Sequence, residues 1–172
     1  MGLLRQLIQL CLLRIGPEDL PGDARLPWVL AAGYVLSGGL LFMSEEGFAS
    51  GMMQAALDAA LLAGFVWAAL KMREHPARFN QTYAALMGVS LVISLLSWPL
   101  LSAVPTEVAA ANELHPAQIG LLALLLWSLV AQGQILRRAL EVSAGMGLLL
   151  VFVYFMLSSL TIAAIFSGSA PT

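Results

Sequence analysis

Long apolar runs, each closed off by charged residues, set the plan of this chain. Leu26 to Ser44 gives 19 residues without charge, and Gly47 to Leu70 gives 24 interrupted only by Asp58. Phe79 to Thr106 adds 28, Leu114 to Leu136 adds 23 and Val142 to Thr172 adds 31. A bilayer crossing takes about 20 predominantly apolar residues in a helix. Backbone groups in lipid must be satisfied within a helix or a closed barrel. Barrel strands alternate in polarity, whereas Leu121 to Trp127 is continuously apolar. The pattern therefore predicts an all-α membrane protein with a bundle of five transmembrane helices.

A shorter element precedes them. Leu3, Leu4, Leu7, Ile8, Cys11 and Ile15 recur at helical spacing, with Arg5, Gln6 and Gln9 on the opposite side. Such a stripe predicts an amphipathic helix lying at the membrane interface, its arginines reaching anionic headgroups. The competing expectation is a cytoplasmic helix packed on the loops of the bundle itself. Gly16-Pro17 is expected to end the helix, with Pro21, Gly22 and Pro27 keeping the connector irregular. The chain then divides into residues 1–26 (helix and connector), 27–167 (five-helix domain) and 168–172 (outer tail).

Composition agrees with a lipid solvent. Hydrophobic residues make up 60% of the 172 and charged residues 10%, well below the roughly 25% charged of soluble domains. The net charge of −2 gives no basic surface for nucleic acid. The apolar start is interrupted by Gln6, Gln9 and Arg14 and lacks a small-residue cleavage site, unlike a signal peptide. Cys11, the single cysteine, excludes a disulfide framework and reads as a packing residue.

The basic residues orient the bundle. Arg5, Arg14 and Arg25 precede the first span, Lys71, Arg73 and Arg78 lie between the second and third, and Arg137 and Arg138 between the fourth and fifth. The other exposed segments hold Glu45, Glu46, Glu107 and Glu113 but no Lys or Arg. Random scatter over two sides gives this separation roughly once in a hundred cases, so the positive-inside rule predicts N-terminus in and C-terminus out. A multi-pass protein of a bacterial inner membrane is expected. Arg5, Arg14, Lys71, Arg73 and Arg78 are its predicted contacts to lipid headgroups.

Asp58 is the one ionisable residue at mid-membrane depth, with Gln54 a turn earlier on the same face. A carboxylate at a helix centre costs roughly 2.5 to 3.5 kcal/mol on insertion scales. With no Lys or Arg at that depth, desolvation holds an unpaired carboxyl protonated, able to donate and accept. By depth its partners are Tyr34, Ser37, Ser94, Trp127 and Tyr154. A polar clasp between helices, a proton or ion relay, and an intermolecular contact are the three readings. The scarcity of titratable neighbours favours the clasp. Opposite it, Ala56, Ala60 and Gly64 form a small-residue stripe that predicts close packing on both sides of this helix, hence a central position. Pro99 should kink or end the third span, and Gly38-Gly39 and Gly145-x-Gly147 mark flexible or tight spots. His75 and His115 fall on opposite sides, and no His-Glu-x-x-His, Gly-x-Ser-x-Gly or phosphate loop occurs, so neither a metal, a cofactor nor a catalytic residue is expected.

His75-Pro76 leading into Phe79-Asn80-Gln81-Thr82-Tyr83-Ala84-Ala85-Leu86, then Trp98-Pro99, then Trp127 to Ala139 before the last helix, resembles the bacterial branch of the Yip1 family. The resemblance covers the five-helix region and implies a non-enzymatic membrane protein; it carries over no functional residue. The expected function is that of an accessory, assembly or scaffold component binding lipids and other membrane proteins or itself. The alternative is a small transporter or channel subunit using Asp58.

Overall fold

The structure is a computed structural model and describes residues 2–41, 47–104 and 115–166. It is 85% helical, with no strand among the described residues. The elements are α1 (Leu3–Cys11), α2 (Leu26–Leu41), α3 (Phe48–Met72), α4 (Phe79–Ser102), α5 (Pro116–Leu140) and α6 (Ala144–Phe166), with short 3₁₀ turns at Pro17–Asp19 and Pro76–Arg78. Helices α3 to α6 are long and apolar enough to cross a membrane. The described part of α2 is 16 residues, about 24 Å at 1.5 Å per residue.

Contacts run α2 to α3, α3 to α6, α6 to α5, α5 to α4 and α4 back to α2, closing a ring of five helices. Within it α4 is the most enclosed: every residue from Thr82 to Val89 is buried, against α1, α2, α3 and α5. The expected central helix was α3, on the strength of Ala56, Ala60 and Gly64. Those three are instead exposed, and nothing lies within 4 Å of a Cβ placed on Gly64. The residues α3 buries are Gly51, Ala55, Ala59, Leu62, Val66 and Leu70, a different stripe of small and branched side chains.

Two glycines set helix crossings. A Cβ on Gly38 of α2 would sit 2.5 Å from Ala55 Cβ and 3.2 Å from Gly51 O of α3. A Cβ on Gly147 of α6 would sit 2.5 Å from Gly133 O of α5. Both crossings bring backbone against backbone, the geometry small residues allow in lipid. Gly145 has no such neighbour. Pro99 neither ends nor interrupts α4, which continues to Ser102; its position a turn from the end leaves little of the helix beyond it.

Helix α1 is shorter than its apolar stripe. Leu13 takes φ 59°, its N–H bonds Leu10 O, and Arg14 N–H bonds Gln9 O, a Schellman closure that ends the helix before Gly16-Pro17 is reached. Glu74 closes α3 in the same way, with φ 61° and bonds from Glu74 N–H to Lys71 O and from His75 N–H to Leu70 O. Leu7, Leu10 and Cys11 are buried against α4 and α5: Leu7 meets Gly88, and the Trp127 indole donates to Cys11 O at 2.9 Å. At 1.5 Å per residue Gly88 lies about 13 Å from the Phe79 end of α4 and Trp127 about 20 Å from the Leu140 end of α5, so α1 packs well inside those ends. Its other flank (Leu4, Ile8 and Leu12) is exposed. Helix α1 thus packs on α4 and α5 rather than on the loops of the bundle, with an apolar flank left open beside it.

Candidate functional site

Asp58 projects from α3 into the ring. Its Oδ2 accepts from the Tyr34 hydroxyl of α2 at 2.8 Å. Its Oδ1 accepts from the Tyr154 and Ser158 hydroxyls of α6, each at 2.5 Å. Tyr154 Oη also lies 2.9 Å from the backbone oxygen of Asp58. Three hydroxyls from two helices thus solvate one carboxyl, as short O–H···O contacts to a carboxylate do. Tyr154 and Ser158 are four apart, hence on one face of α6, which is why both reach the same oxygen.

Two of the five partners expected from depth are therefore present, Tyr34 and Tyr154. Ser37 and Ser94 bond each other at 2.8 Å, fastening α2 to α4, and Ser37 Oγ also donates to Tyr34 O at 2.7 Å. Trp127 reaches Cys11 instead. Gln54 does not bond Asp58; its amide approaches Ser50 Oγ at 3.4 Å. Ser158 escaped the sequence reading, although its four-residue spacing from Tyr154 was a usable signal.

The carboxyl opens on a half-open cavity of about 370 Å³ lined by residues of all five ring helices. Beyond the clasp, α3 contributes Gln54, α4 Ser90 and Ser94, α5 Ser128 and Gln132, and α6 Ser159. Gln132 donates to Ser128 Oγ at 2.9 Å. Leu62, Ile93, Leu129 and Val151 supply apolar wall, and Phe155 joins the two tyrosines as aromatic surface. Among the described residues, no Lys, Arg or His lines this cavity.

The basic residues gather at one end of the bundle. Arg73 Nε donates to Leu140 O and Arg78 Nη1 to Ala139 O, both at 3.2 Å, so two of the predicted headgroup contacts cap the C-terminus of α5, where a cation opposes the helix dipole. Arg78 Nη2 also pairs with Glu141 at 2.7 Å, and that hydrogen bond and charge hold the Glu141 carboxyl below its usual range. Arg138 pairs with Glu18 at 3.2 Å, tying the α1–α2 connector to α5. Lys71 lies 4.6 Å over the Trp67 ring, while Arg5 and Arg14 are exposed. His75 sits beside Glu141 at this end; His115 caps the opposite end of α5, accepting from Ala117 N–H at 3.3 Å.

Compared with family models, curated proteins and solved structures, the chain matches none.

Proposed function

We propose that this is a non-catalytic, multi-pass membrane protein that works by binding, and that it takes a small solute into the cavity at Asp58 as a carrier or channel subunit does. The observation behind this reading is the number of polar side chains facing one space. A clasp uses only Tyr34, Tyr154 and Ser158; Gln54, Ser90, Ser128, Gln132 and Ser159 line the cavity in addition. Polar groups are costly at membrane depth, and their convergence from separate helices marks a solute or ion path. Screening polar solutes for thermal stabilisation of the purified protein tests it. Ser90→Leu fills the cavity without touching the Asp58 hydrogen bonds and should erase the stabilisation seen with wild type. A screen in which no solute stabilises wild type over Ser90→Leu sinks the cavity reading.

The orientation belongs to the same proposal. Five crossings with the N-terminus inside are supported by the gathering of Arg73, Arg78, Arg137, Arg138 and Lys71 at one end of the ring. A bacterial inner membrane and a Yip1-like layout belong to the same reading. The second reading is an accessory component bound to another membrane protein or to itself. The outward-facing Ala56, Ala60 and Gly64 favour it, and crosslinking from Ala60→Cys in membranes would detect the contact.

A further inference from the structure

We infer that the solute is a small organic monocation, a protonated or quaternary amine with a hydrocarbon body, whose charge rests against Asp58. The inference builds on the cavity reading above and adds the chemistry of its guest. Charge comes first. Among the described residues Asp58 is the only carboxyl on the lining, and the three hydroxyls on it orient the oxygens without supplying positive charge. A cation bound beside Asp58 supplies the counter-charge that no described residue of the lining gives, and so favours the carboxylate over the protonated form expected of it when unpaired. An anionic guest finds no Lys, Arg or His among the described residues of the walls.

Size and lining select among cations. About 370 Å³ is on the order of a dozen water volumes of about 30 Å³ each, far more than a bare alkali ion fills and within the range of small-molecule pockets. A divalent metal calls for several oxygen ligands, usually more than one carboxylate, and among the described residues no group of three His, Cys, Asp or Glu forms. Tyr34 and Tyr154, which reach the carboxyl through their hydroxyls, and Phe155 give the same cavity aromatic surface. That pairing recognises ammonium groups through both charge and the ring quadrupole. Leu62, Ile93 and Val151 receive a hydrocarbon body.

The test is a charge series on the full-length protein in nanodiscs, read by isothermal titration calorimetry. Phenethylammonium, neutral phenethyl alcohol, anionic 3-phenylpropionate and sodium chloride are the probes. Phenethylammonium should bind saturably and at least tenfold more tightly than the alcohol, with no saturable binding of the carboxylate. Asp58→Asn, which keeps the shape and one acceptor oxygen in the clasp but cannot carry the charge, should weaken the ammonium at least tenfold and leave the alcohol unchanged. Equal binding of ammonium and alcohol, or ammonium binding that survives Asp58→Asn, overturns the cation inference while the cavity reading stands. Saturable sodium binding without ammonium binding overturns it in favour of an alkali site. Failure of every probe overturns it and, with a negative solute screen, the cavity reading as well. Should Asp58→Asn not fold, the charge series on wild type alone decides.

Discussion

Tyr154 holds Asp58 twice, with its hydroxyl 2.5 Å from the carboxyl Oδ1 and 2.9 Å from the backbone oxygen of the same residue. One phenol therefore fixes both the side chain of Asp58 and the register of α6 against α3. Tyr34 completes the clasp from α2, so the three helices share a single polar centre.

That sharing separates two substitutions. Asp58→Asn retains an acceptor and a donor at nearly the same volume, and detergent thermal unfolding should change little. Asp58→Leu leaves three hydroxyls without their acceptor and should destabilise by about 1 kcal/mol or more. A Leu variant as stable as wild type would mean that those hydroxyls find substitutes in the cavity, and the clasp would lose its structural role.

The two glycines at the start of α6 make a matched pair. Gly147→Ala drives a methyl to 2.5 Å from a backbone oxygen of α5, and backbone cannot swing aside as a side-chain end can. Overpacking of this kind costs about 1 to 3 kcal/mol. Gly145→Ala meets open space and should be neutral or stabilising by up to about 1 kcal/mol, the helix-propensity gain. Equal melting temperatures for the two variants would contradict the α5–α6 crossing.

Much of this was legible in the residues. The apolar runs located α2 to α6 to within a few residues at most ends, because apolar length and helical hydrogen bonding are local requirements. That Asp58 needs polar partners on neighbouring helices was legible too, since a lone carboxyl stands out in an apolar segment. Which side of α3 faces inward was not. Ala56, Ala60 and Gly64 and the buried Gly51, Ala55 and Ala59 are equally small, and only the neighbours decide between such stripes. The cavity was likewise hidden, because Ser90, Ser128 and Gln132 are unremarkable one by one and acquire meaning only when α4 and α5 bring them opposite Asp58. Leu13 and Glu74 at positive φ broke the expectation that glycine closes helices.

Orientation is open to labelling. In a Cys11→Ser background, cysteines at Ala49 and Ser169 should react with an impermeant maleimide on intact cells. Cysteines at Ala77 and Ser143, both exposed at the basic end, should react only after permeabilisation. Ala139 is buried against the bundle and would be silent from either side. Reversed labelling would overturn the N-in topology, and a mixed pattern would overturn the count of five crossings.

The Arg78–Glu141 pair has a pH signature. The folded state holds the Glu141 carboxyl below its usual range, chiefly through the Arg78 hydrogen bond. A depressed carboxylate contributes stability above its unfolded pKa and loses it as pH falls through the folded one. Glu141→Gln should accordingly melt slightly below wild type at neutral pH, with the gap closing under acid. A gap that widens on acidification would show that the pair is not what links α4 to the end of α5.

The docking of α1 can be followed through its own thiol. Cys11 is buried against α5, and that burial both shields the thiol and pushes its pKa up, each of which slows alkylation at neutral pH. Leu10, 1% exposed, is the neighbouring anchor. Leu10→Asp puts a charge into that contact and should lift α1 from the groove between α4 and α5. Cys11 alkylation by a small maleimide in detergent should then rise at least tenfold, while the ring helices, held by their own crossings, keep their melting transition. Trp127→Phe removes the indole bond to Cys11 O but keeps the aromatic wall, and should raise the rate by a smaller factor, since one hydrogen bond is worth about 1 kcal/mol. Rapid alkylation in wild type, unaffected by either change, would place α1 away from the bundle, with its apolar stripe facing lipid alone.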